Sequence, residues 1–176
     1  MMYLSVLLSL FVPVVVIQIR FAYRRRQLQR QSWYAVLSRI QPVDVAGIRA
    51  VADCYLNPSQ NQLRYEPNEM WMAIGELGGI NRLKANAAAM IDLAVYAERW
   101  NQTEGPVISE MLRRDAVRLN RAVLRIQLMF LFQVGFLRAP FHIQEAASSY
   151  YLMRSRLLSL YENSHIGLLP GLTAAL

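Results

Sequence analysis

Four arginines, Arg114, Arg118, Arg121 and Arg125, recur at steps of four, three and four residues. At 100° per residue they fall within an arc of about 60° on one side of a helix. Guanidinium groups in a line offer forked donors to phosphate or carboxylate oxygens. The stripe is therefore the candidate docking face, either for phosphates on lipid headgroups or nucleic acid, or for an acidic partner. The plainer alternative is a solvated face, helped by Glu110 and Arg114 at i, i+4. No aromatic side chain interleaves with these arginines, as single-stranded nucleic acid would require.

The remaining reactive side chains form no recognised constellation. The chain contains no Gly-rich phosphate loop, nucleophile elbow, His-Glu-x-x-His or paired-cysteine spacing. Gly75, Gly78 and Gly79 read as a helix break, since no strand precedes them and no Lys-Ser/Thr follows. His142 and Glu145 are three apart, but a Glu/His metal site of this kind needs a second such pair. Glu66, Glu69 and Glu76 supply carboxylates, with Glu69 better suited to the first turn of its helix. Cys54 is the only cysteine, so the chain can form neither an internal disulfide nor a thiolate cluster. No cofactor or metal is expected. Asn101-Gln102-Thr103 fits the glycosylation triplet, but it is unusable in the cytoplasmic orientation argued below.

The arginine stripe lies in a proline-free run from Pro106 to Arg138, which as helix would measure about 50 Å. Proline suits the first turn and Pro140 closes the far end. Ile108, Leu112, Leu119, Val123, Ile126, Phe130, Val134 and Leu137 share the face expected to point inward. Beyond Arg125, Leu128, Phe132 and Phe136 continue the arginine line, so the last turns are apolar on nearly every side. The rest of the chain is expected to be organised around this helix.

The net charge of +7 is unevenly placed. Residues 1–40 hold six arginines and no acid, and the other 136 residues are close to neutral. Met1 to Ile19 carry no charged side chain, and Arg20, Arg24, Arg25, Arg26 and Arg30 follow. An apolar run with its basic residues behind it is the reverse of a cleaved signal and predicts a retained anchor with the N-terminus outside. Those five arginines are the expected contacts to anionic lipid. Because the basic excess belongs to this segment, nucleic-acid binding is not expected.

Further along, Pro42, Asn57-Pro58, Gly78-Gly79 and Asn101–Gly105 punctuate helical patterns. The segments are about Arg24–Ile40, Val45–Leu56, Pro67–Leu77, Asn81–Trp100 and, after Pro140, a last helix to Asn163. Its inward stripe is Ile143, Ala147, Tyr150, Met153, Leu157 and Leu160. The apolar tail from His165 is expected to lie along a groove without forming a helix. No strand pattern or solenoid repeat is found.

Together these features predict an all-α protein: a single transmembrane helix (1–23), a basic juxtamembrane helix (24–41) and a cytoplasmic bundle of four or five helices (42–176). The expected location is a cell (inner) membrane. The expected function is a membrane-anchored, non-catalytic interaction or scaffold module, with a protein partner or self-association. The second reading is a membrane-bound enzyme with its site among Glu66, Glu69, Glu76 and His142.

Overall fold

The structure, a computed structural model, describes residues 32–57, 65–132, 139–164 and 167–176. Seven helices and no strand occur among them: α1 (Trp33–Leu37), α2 (Val45–Leu56), α3 (Pro67–Ala73), α4 (Glu76–Ala97), α5 (Gly105–Phe132), α6 (Ala139–Asn163) and α7 (Leu169–Ala175). Residues from Trp33 to Leu176 gather as one unit.

Local chemistry accounts for the helix limits. Asp44 caps α2, its Oδ1 accepting the Gly47 N–H at 3.0 Å. The Glu66 N–H donates to Glu69 Oε2 at 3.1 Å, so the carboxylate expected to serve the first turn of α3 does so. Asn101 Oδ1 accepts the Glu104 N–H at 2.9 Å just before α5.

The α3–α4 break lies earlier than the sequence suggests. Gly75 and Glu76 both have positive φ, 78° and 57°, and α4 already starts at Glu76. Gly78 and Gly79 lie in its first turn and do not interrupt it. A Cβ on Gly79 would lie 1.7 Å from the Ile74 carbonyl oxygen, so the backbone reversal admits only glycine there.

The centre of the bundle is α6, which packs against α2, α3, α4, α5 and α7. Between His142 and Leu158 only Ser155 is exposed. All six residues of its expected inward stripe are buried, along with Ala146, Ser148 and Ser149. The expectation that α5 is the organising helix is corrected: α5 packs on α4 and α6 and keeps an open outer side.

On α5 the inward face contains Leu112, Leu119, Val123 and Ile126 as expected, but not Phe130, which is 38% exposed and stacked on Trp71 at 4.9 Å. Val134, Phe136 and Leu137 lie outside the described residues. In α4 the seam of Leu83, Ala87, Met90, Ala94 and Ala97 is buried throughout. The tail is a correction: it forms α7, with Pro170 in its first turn and Leu172 buried.

Two polar networks run through this core. Trp33 Nε1 donates to the Tyr161 hydroxyl at 3.0 Å, which donates to the Leu93 carbonyl at 3.0 Å, joining α1, α6 and α4. The buried Asn86 side chain bonds the Gln41 main chain and the Tyr150 hydroxyl.

The membrane architecture is corrected. No helix among the described residues is long and apolar enough to cross a membrane. The three long ones, α4, α5 and α6, each carry charged side chains within their length, which lipid penalises heavily. The expected span, residues 1–23, and Arg20, Arg24, Arg25, Arg26 and Arg30 lie outside the described residues. The single-pass topology is therefore not retained, nor are the inner-membrane location and the anchored-scaffold function built on it. The expected protein partner or self-association rested on that scaffold reading and falls with it.

Candidate anion-docking face

Helix α5 holds its four arginines on the side away from α4 and α6. Packing fixes that rotation: Leu112, Ala116, Leu119, Ala122, Val123 and Ile126 are all buried. Arg114, Arg118 and Arg125 each keep more than half of the side chain exposed, and Arg121 is exposed as well.

Acids neutralise this line only in part. Glu110 is shared by Arg113 and Arg114, at 3.6 and 3.4 Å. Asp115 is buried and bound to Arg156 of α6, while Arg118 reaches it only at 4.0 Å. Glu145 of α6 lies 3.6 Å from Arg125 and 3.5 Å from His142 Nδ1, so that carboxylate is divided too. Among the described residues no acid lies within ion-pair distance of Arg121. Exposed ion pairs of this length hold a guanidinium weakly, about 0–1 kcal/mol each, and can be exchanged for a ligand oxygen.

Arg114, Arg118, Arg121 and Arg125 thus form one open line about 16 Å long at 1.5 Å per residue. Beside it runs a second lane that sequence reasoning only half saw. Leu128 and Phe132 were expected on the arginine line, but Val117, Leu124 and Leu131 are exposed as well. Their spacing of seven and seven was a signal in the sequence. Glu145, by contrast, lies twenty residues from Arg125 with a helix end between, and nothing local pairs them.

The other candidate residues do not assemble into a reactive centre. His142 pairs with Glu145, Glu69 caps α3, and Glu76 opens α4 in the left-handed region. Among the described residues no group of three or more His, Cys, Asp or Glu side chains is placed to hold a metal ion. Cys54 is buried in α2, its Sγ 3.4 Å from the Ala50 carbonyl. Gly75 and Gly79 serve the α3–α4 break, whereas a Cβ on Gly78 would meet nothing within 4 Å.

Fold and surface define an all-helical domain with one basic, partly apolar outer face on α5. No protein-family model matches the chain, and no curated protein or solved structure is similar to it.

Proposed function

We propose that the domain is a binding module that docks a phosphate-bearing polyanion along Arg114, Arg118, Arg121 and Arg125. The under-neutralised arginine line carries the reading: five guanidiniums, counting Arg113, stand on an outer face whose one exposed acid is Glu110. The helix is held by its buried side, so its guanidiniums are presented at fixed intervals and little ordering is needed on binding. Arginine in a line suits phosphate because each planar fork donates two bonds to one group.

The test is binding of the full-length chain to inorganic polyphosphate, followed by fluorescence anisotropy at several salt concentrations. Arg118→Glu with Arg121→Glu should weaken binding by tenfold or more and flatten its salt dependence. Arg49→Glu reverses an exposed charge on α2 and serves as the control. Equal losses from the two variants would show that only overall charge matters and would overturn the reading.

A further inference from the structure

Resting on that reading, we infer that the polyanion is the anionic surface of a lipid bilayer, on which α5 lies by its outer face without crossing. The second lane supports this choice. Val117, Leu124, Leu128 and Leu131 fall within about 60° of arc at 100° per residue, directly beside the arginine arc. Leu131 and Phe132, at the end of α5, are 72% and 65% exposed. A free phosphate chain would engage the guanidiniums and leave these side chains in water. A bilayer interface meets both lanes at once: arginines reach headgroup phosphates while leucine and phenylalanine enter the boundary with the acyl chains. At such an interface arginine stems can lie along the apolar boundary while their heads stay with the phosphates.

The two lanes differ in reach. The arginines end at Arg125, whereas Leu128, Leu131 and Phe132 continue for nearly two more turns. The C-terminal end of α5 therefore enters more deeply, and the arginines sit at headgroup level behind it. A bound pair of faces in a second copy would bring two arginine lines together, which like charges oppose.

The experiment uses the full-length chain with Cys54→Ala and a nitrobenzoxadiazole label at Leu128→Cys. Phosphatidylcholine vesicles with and without phosphatidylglycerol are the probes, and a label at Arg49→Cys is the control. Emission at position 128 should shift to the blue and rise several-fold with the anionic vesicles alone, while position 49 stays unchanged. Arg118→Glu with Arg121→Glu should abolish the shift. Leu124→Ser with Leu131→Ser should weaken it while leaving polyphosphate binding intact.

If position 128 stays unshifted while the arginine-dependent binding of polyphosphate persists, the lipid inference falls and the anion reading stands. Loss of both removes the two together. Equal shifts at 49 and 128 would show contact through no particular face. A shift that needs only higher protein concentration, without vesicles, would show a second copy on the face. Either result overturns the inference.

Discussion

The Asn86 carboxamide pairs with the main chain of Gln41 at both ends. Its Oδ1 accepts the Gln41 N–H at 2.8 Å, and its Nδ2 donates to the Gln41 carbonyl at 2.8 Å. One side chain of α4 thus does for the segment after α1 what a neighbouring strand would do, satisfying both main-chain groups of the exposed Gln41 from a buried position. Nδ2 also donates to the Tyr150 hydroxyl at 3.2 Å, tying the segment to α6.

Asn86→Leu removes three bonds and leaves the polar groups of Gln41 and Tyr150 without their partner. The expected cost is about 1–3 kcal/mol, because the Tyr150 hydroxyl loses this partner in the core, whereas the exposed Gln41 still reaches water. Urea unfolding of the full chain reads it. A loss below about 1 kcal/mol would show that packing alone holds the α1 segment.

Tyr161 links α1, α4 and α6 through one hydroxyl, and burial, the largest cause, raises its pKa well above the ordinary value. The folded group therefore holds its proton more tightly than the unfolded one. Its contribution is fully present below the unfolded value of 10.0 and is lost as pH rises through the raised folded value. Tyr161→Phe should destabilise by about 1–3 kcal/mol near neutrality. Above pH 10 the variant should lose stability less steeply than the parent; Tyr150, also raised chiefly by burial, keeps some slope in both. Parallel stability curves above pH 10 would contradict the assignment.

Asp115 and Arg118 are close in sequence but differ in consequence. Asp115 is buried and bound to Arg156, whose side chain is one-third exposed. Asp115→Asn should cost about 1–3 kcal/mol, less than for a wholly buried pair because Arg156 still reaches water. Arg118→Ala should change stability by no more than about 0.5 kcal/mol. Thermal unfolding compares the two, and similar losses would mean that Arg118 is held by more than the long contact to Asp115.

Glu145 restrains one end of the arginine line. Glu145→Gln removes the carboxylate shared by Arg125 and His142, and Arg125 is more than half exposed. The stability change should stay under about 1 kcal/mol. Affinity for polyphosphate should instead rise about twofold, since one neutralising charge leaves the face. Unchanged polyphosphate binding by this variant would place Arg125 outside the docking line.

Sequence by itself determined what is local in this protein: the all-helical class, the Asp44 cap, the alanine seam of α4, the buried stripe of α6 and the alignment of four arginines on one side of α5. Each follows from neighbours within one or two turns, where proline, capping side chains and a period of 3.6 act directly. Tertiary structure decided which helix is central. Helix α5 has the stronger one-sided pattern because one of its sides faces water. Helix α6 is covered from several directions, so its inward stripe is only part of what it buries, and Ser148 and Ser149 are buried with it. Tertiary structure also turned Phe130 out against Trp71, placed the α3–α4 break at the left-handed pair Gly75-Glu76, and brought Glu145 to Arg125. Those outcomes depend on which surfaces meet, and no spacing along the chain encodes that.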